Sequence, residues 1–363
     1  MDQVPDGIAL TDDPGDCARL TRADNPGMSA TVLPPPRIGN LQLSSGLMLA
    51  PMSGYADAAF RLELRRLGPV GLAWTELVSP RKLLEGSTET ELILAAAPGD
   101  RPLAVQLYGA DREHLLEAAR RLFDRGIDVL DFNLGCPARK VARKGAGAAL
   151  LERPEEAARL AAELVAAAAG RAPVTAKIRL GPDRGHANAP ELSRLLESAG
   201  VAALTVHGRT ADEPYDRPVD LAGIRQVVEA GKSVPVFANG DVDSARSARR
   251  TLEATGAAGL VIGRAALADP WIFQEIAADL AGRGFRRPGR AERAAFLVGH
   301  FLTLLGLRGE EMACRQLRKW GEYYGPALGL SGAQRRRFAT LAKAGEVEAL
   351  AREALTGSGA PGS

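Results

Sequence analysis

No stretch of this 363-residue chain holds about 18 or more consecutive apolar residues, and its first thirty residues carry neither the cationic start nor the apolar core of a signal peptide. A membrane span and export are therefore not expected, and the cytoplasm is the expected compartment. Cysteine is scarce as well. Cys17, Cys136 and Cys314 lie far apart with no paired spacing, which argues against a disulfide framework or a cysteine zinc site, and no metal is expected. Net charge is only +2, which taken whole names no partner. What the chain does have is apolar material: at 46% hydrophobic it can fill a large core, and one long domain plus a smaller one is the expectation.

The distribution of charge says more than its total. Residues 1–30 hold Arg19 and Arg22 against six aspartates, whereas residues 283–343 hold thirteen Lys and Arg against four Glu. A cationic C-terminal segment of that kind suits a polyanion. Residues 1–36, acidic and ending in "LPPP", read as a disordered leader with no role in chemistry, and Met28 offers a second start.

From residue 47 onward, short apolar runs alternate with helical patterning: "LMLAP", "VGLAWTE", "LAVQLYG", "DVLDFN", "VTAKIR", "ALTVHG", "VPVFANGD" and "GLVIGR". Between them, Leu115, Leu116, Ala119, Leu122 and Phe123 repeat at helical spacing, with Asp111 able to cap the start and Gly126 the end, and a second helix is expected over 154–169. Eight such repeats predict an α/β fold, a (β/α)₈ TIM barrel over residues 37–285, with a doubly wound open sheet as the rival. After "RRPG" the alternation stops, and Phe296, Leu297, Phe301, Leu304 and Leu305 predict a separate helical domain over 286–355, followed by a flexible tail at 356–363.

Polar residues gather at the C-terminal ends of the runs: Gln106, Asn133, Cys136, Lys177, His207, Arg209, Asn239, Asp241, Gly263 and Arg264. In a barrel these ends meet at one mouth. Gly240 and Gly263 would let backbone amides approach a phosphate that Arg264 could pair with, although turn glycines beside a solvated Arg would read the same. Lys177 sits among apolar residues and needs an anion or electron-rich partner; a reduced flavin is one, with Gln106 able to bond the ring edge and His207 either a further donor to it or a structural histidine at a strand end. Cys136, between Gly135 and Pro137, is held on a turn rather than in a strand. A thiolate there would serve as nucleophile or metal ligand and a protonated thiol as general acid, and the residue types leave that choice open.

These residues lie in motifs that resemble the tRNA-dihydrouridine synthases, over roughly residues 37–345: "APMSGYADAAFR", "TELVS", "AVQLYGAD", "DFNLGCPARKVARKGAGAALL", "AKIRLG", "TVHGRT", "FANGDVDSARSA" and "GLVIGRAALADPWIF", in that order. The resemblance implies an FMN enzyme that reduces the C5–C6 double bond of specific uridines in tRNA. Flavin N5 gives hydride to C6, Cys136 protonates C5, and NADPH reloads the flavin. It implies that Pro51, Met52 and Ser53 line the flavin ring, that Gln106, Lys177 and His207 contact it, and that Asn239, Gly240, Asp241, Gly263 and Arg264 form the phosphate cradle. Asn133 would hold the uracil edge; Arg139, Lys140, Arg143, Lys144 and Arg209 would meet the RNA.

The segment "MACRQLRKWGEYYGPALGLSGAQRRRFATL" resembles the family's helical tRNA-binding domain. Arg315, Arg318 and Lys319 at i, i+3 and i+4 would share one face, with Arg335, Arg336 and Arg337 as a second cluster. Nothing in this reading requires a protein partner, so a monomer is expected. One departure stands out: after "HGRT" the chain reads "ADEPYDRP", whose Asp212 and Glu213 would repel a phosphate. Two rivals remain: another FMN pyrimidine oxidoreductase of the dihydroorotate dehydrogenase type, and a non-catalytic RNA-binding protein.

Overall fold

All eight apolar runs are parallel strands: β3 (Leu47–Leu49), β4 (Leu72–Trp74), β5 (Leu103–Leu107), β6 (Val129–Leu134), β7 (Val174–Arg179), β8 (Leu204–His207), β9 (Val236–Asn239) and β10 (Gly259–Ile262). They pair in sequence order, and β10 closes on β3. The computed structural model describes residues 33–231 and 233–356. The leader expected over 1–36 therefore falls, except for its last four residues, outside the described residues, as do Cys17, Met28 and the tail from 357.

Successive side chains of a strand point to opposite faces. In β6, Leu130, Phe132 and Leu134 pack outward against the helices, while Val129 joins the apolar interior with Met48, Leu72, Trp74, Ala104, Phe237 and Val261. The same alternation puts Asp131 and Asn133 on the inward face, one and two steps above Val129, and does likewise for Gln106 above Ala104 and Asn239 above Phe237. The barrel thus has an apolar floor and a polar upper layer. Below the floor lies a hairpin that the sequence does not announce, β1 (Arg37–Ile38) with β2 (Leu41–Gln42). Its Ile38, with Leu43 just after it, is buried in the same inner cluster and stoppers the N-terminal end.

The helix Arg112–Asp124 starts at Asp111, whose carboxylate accepts from the His114 amide at 3.1 Å. The helix Pro154–Ala168 ends in left-handed turns at Ala169 and Gly170. Beyond the barrel, helices Arg290–Arg308, Glu310–Leu317, Gly321–Ala327, Gly332–Phe338 and Ala344–Thr356 pack together. Phe296, Leu297, Phe301 and Leu304 are buried as their spacing predicts, and Leu305 is partly so. This helical region is keyed to the barrel by aromatics. Phe60, on the helix Ala58–Leu67, lies 4.6 Å from Trp320 and 6.4 Å from Phe296 between ring centroids. No helix among the described residues is long and apolar enough to cross a membrane.

Candidate active site

The upper layer of the barrel is a hydrogen-bonded chain that ends at the cysteine loop. Buried Asp131 accepts from Thr175 Oγ1 at 2.6 Å and from Gln106 Nε2 at 2.7 Å. Gln106 Oε1 accepts from Asn133 Nδ2 at 3.0 Å, and Asn133 Oδ1 accepts from the amides of Gly135 (3.3 Å) and Cys136 (3.0 Å). Burial pushes the Asp131 carboxyl above its usual range, and the bonds from Gln106 and Thr175 hold it back down. On the far side of the loop, the Cys136 carbonyl accepts from Ala148 N at 3.0 Å, and a Cβ on Gly147 would stand 2.7 Å from that oxygen. The backbone of Cys136 is therefore pinned on both sides while its side chain stays partly exposed.

Across the mouth, Lys177 Nζ donates to Asn239 Oδ1 at 2.8 Å, and Asn239 Nδ2 in turn donates to Val261 O. Burial pushes the Lys177 ammonium down to about 8; the charges of Asp131 and Cys136 oppose that shift and Arg179 adds to it.

A third group lies over the ends of β8 to β10. Arg209 Nη2 pairs with Asp241 at 2.7 Å, Arg209 Nη1 donates to His207 Nε2 at 3.0 Å, and Arg209 Nε donates to Arg217 O. A guanidinium only donates, so His207 Nε2 must be the bare nitrogen and Nδ1 carries the proton. Burial first, then Lys177, Arg179, Arg209 and Arg264, holds the His207 imidazole well below its ordinary range. Because the folded state disfavours the protonated ring, this residue's contribution to stability is whole above the ordinary histidine value of about 6.5 and is lost as pH falls from there. The His207 ring resonances should keep neutral-imidazole positions in NMR from pH 8 down to about pH 5; a midpoint near 6.5 would show that neither burial nor the cation cluster acts on it.

Asp241 has a left-handed φ of 51° and Gly240 a φ of 117°, while a Cβ on Gly240 would stand 2.5 Å from Val219 Cγ1. That turn is fixed by Arg209 on the Asp241 carboxylate and by the Val219 amide at 3.0 Å. Gly263 opens beside the first loop, since a Cβ there would stand 3.8 Å from Met52 Sδ.

Residues 48–356 match the family described as dihydrouridine synthase (Dus). The chain belongs to that family. It is 42% identical over 294 residues to "tRNA-dihydrouridine synthase B" of Pseudomonas aeruginosa, covering 79% of this chain and 86% of the relative. The protein of that name from Pseudomonas syringae pv. tomato is 40% identical over 289 residues, 79% of this chain and 85% of its own. A "Probable tRNA-dihydrouridine synthase" from Rhodobacter capsulatus is 37% identical over 292 residues, 80% and 89% of the two chains.

Within this Dus family member, the structure brings Gln106, Asn133, Cys136, Lys177, His207, Asn239, Gly240, Asp241, Gly263 and Arg264 to one end of the barrel, and it gives several of the expected contact residues partners within the protein. Arg209, expected to meet the RNA, is only 1% exposed and bonds Asp241, His207 and the Arg217 and Tyr215 carbonyls, so it organises the Gly240–Asp241 turn. The Gln106 oxygen and amide, expected on a flavin edge, are engaged by Asn133 and Asp131, because a buried carboxylate demands donors. Asn133, expected on the uracil edge, has its oxygen committed to the cysteine turn. Lys319, expected to share a cationic face with Arg315 and Arg318, turns inward where the helix tightens to a 3₁₀ turn at Arg318–Trp320. It donates to Gly54 O and sits 5.2 Å from the centre of the Tyr55 ring.

The other expected RNA contacts divide by exposure. Arg139, Lys140, Arg143 and Lys144 are exposed and make no side-chain hydrogen bond or ion pair with other described residues. In the helical region Arg337 pairs with Glu353 at 2.8 Å, while Arg318 and Arg335 donate to the backbone carbonyls of Leu341 and Leu330, which leaves Arg315 and Arg336 free among the described residues. Asp212 and Glu213, which read as repulsive, are engaged by Thr210, and Glu213 also by Arg184 at 2.6 Å.

Three participants escaped the sequence reading. Tyr215, half exposed, lies between Arg264 (4.7 Å from ring centre to guanidinium) and Arg179 (5.4 Å), and its carbonyl accepts from Arg209. A lone aromatic in the polar loop after the sixth barrel strand was the available signal. Glu76 accepts from the Gly54 amide, and Tyr55 donates to Glu322 at 2.9 Å. The loop that holds Pro51, Met52 and Ser53 is therefore held from the helical region by Lys319 and Glu322.

Proposed function

We propose that this chain is a tRNA-dihydrouridine synthase that reduces uridine in tRNA with FMN and NADPH, and that it acts as a cytoplasmic monomer. The observation that carries this reading is the pinned, partly exposed Cys136 at the same end of the barrel as Lys177, on a loop whose four cations make no side-chain hydrogen bond or ion pair with other described residues. A row of exposed cations beside a partly exposed thiol suits a negatively charged polymer with one reacting base.

The mouth fits a flavin mononucleotide. It offers one partly buried ammonium, Lys177, a glycine turn at Gly240 that no side chain could share, an open Gly263, and Arg264 exposed beside them. Bound FMN would supply the hydride for C6 of uracil. The chain's own work is to place groups around that event. Lys177 offers positive charge at the mouth, neutral His207 offers Nδ1–H, and the Asn133 turn aims the Cys136 side chain. Protonation of the base at C5 falls to the Cys136 thiol. Arg139, Lys140, Arg143 and Lys144 hold phosphates along the approach.

Purified protein should be yellow, and with NADPH it should add the mass of two hydrogens to uridine in tRNA transcripts, read by mass spectrometry of nuclease digests. A colourless protein that takes up no FMN, or tRNA that gains no mass, would refute the reading.

A further inference from the structure

A cavity of about 630 Å³ opens between the segments that follow β4, β5 and β6. That volume lies within the range of about 300–1,000 Å³ usual for small-molecule sites. None of the polar upper-layer residues lines it, so it is separate from the barrel mouth, yet it borders the cysteine loop. Ala146, on its wall, precedes the Gly147 that packs against Cys136. Tyr108, on another wall, stands two residues beyond the Gln106 that bonds Asn133.

The lining has the two parts of a nucleotide site. Pro80, Leu84 and Ala110 are apolar, and Tyr108 is a partly exposed aromatic whose ring meets no other ring and whose hydroxyl makes no hydrogen bond among the described residues. The two acids of the rim are engaged, Glu85 by Arg81 at 2.8 Å and Asp111 by His114 at 2.9 Å. Lys144 is left as the one lining cation with no partner among the described residues. A base extruded for chemistry leaves its neighbour in the strand without a stacking partner, and an aromatic face can take any base.

We propose that this cavity receives the RNA nucleotide next to the uridine at Cys136, its base against Tyr108 and its phosphate at Lys144. The proposal rests on the reading above that RNA is the substrate. A single unpaired cation matches one phosphodiester; the pyrophosphate of a dinucleotide reductant would call for more.

The test compares Tyr108→Ala and Tyr108→Phe with the wild type as full-length flavoproteins. Two quantities are measured: the Kd for tRNA, and the rate of flavin reduction by NADPH without RNA. Loss of one base–aromatic stack should weaken tRNA binding about tenfold in Tyr108→Ala. Tyr108→Phe should bind as the wild type does, and flavin reduction should be the same in all three. An unchanged Kd in Tyr108→Ala overturns the proposal. So does slower flavin reduction with unchanged Kd, which would give the cavity to the reductant, or a loss in Tyr108→Phe as large as in Tyr108→Ala. A wild type that binds tRNA without reducing it would fail the functional reading alone, since the Kd comparison would still decide this one.

Discussion

Cys136→Ala should lower dihydrouridine formation by about 10²- to 10⁴-fold, the contribution of a positioned general acid, while flavin content and tRNA affinity stay at wild-type values. The structure makes this a clean substitution. The loop is held through backbone groups, by the Cys136 amide on Asn133 Oδ1 and the Cys136 carbonyl under Ala148 N, so removal of one sulfur breaks neither bond. The cations at positions 139, 140, 143 and 144 stay in place, and so does Lys177. Flavin reduction by NADPH without RNA, which does not involve the thiol, should run at the wild-type rate. Single-turnover oxidation of the reduced enzyme by tRNA is the measurement that isolates the affected step. Near-normal oxidation in Cys136→Ala would remove the acid role from this residue.

The barrel was legible because parallel strands buried on both faces write themselves as continuous apolar runs, and all eight runs are strands. The polar tips were legible because they interrupt those runs; "DFN" and "VTAKIR" advertise groups that a core would not accept unpaired. What those groups bond to was not legible, since it depends on neighbours across the sheet. Register places Asn133 beside Lys177 and His207 beside Asn239. Only the assembled barrel reveals that Asp131 ties Gln106 to Thr175, and that Arg209 turns under the loop toward Asp241. Charge counts are incomplete for a related reason. Side chains such as Lys319, Arg335 and Arg337 count as free cations in a sequence, yet Gly54 O, Leu330 O and Glu353 engage them. The hairpin β1–β2 went unseen because four paired residues carry no periodicity to read.

Lys177→Met should leave the flavin-free fold close to wild-type stability and yet abolish retention of flavin through purification. The two expectations follow from one fact, that burial holds this ammonium down to about 8, against an ordinary lysine value of 10.5. A lowered lysine value means that the folded chain favours the neutral amine. Below about pH 8 the residue is charged at a cost, and that cost is relieved as pH rises from about 8 toward 10.5. Methionine, of similar length and without charge, removes the cost along with the bond to Asn239. Asp131 keeps its donors Thr175 and Gln106. An anion at the mouth reverses the balance, because it would favour the charged lysine and lose that partner in the variant. Loss of one member of a desolvated charge pair costs on the order of 2–5 kcal/mol, or at least thirtyfold in affinity, and the loss should be greater for reduced than for oxidised FMN. Titration of the unfolding midpoint from pH 7 to 10 supplies the second reading: the wild type should gain stability relative to Lys177→Met as pH rises. Parallel curves would show that burial does not lower this ammonium, and a variant that still purifies yellow would show that Lys177 does not face the bound ring.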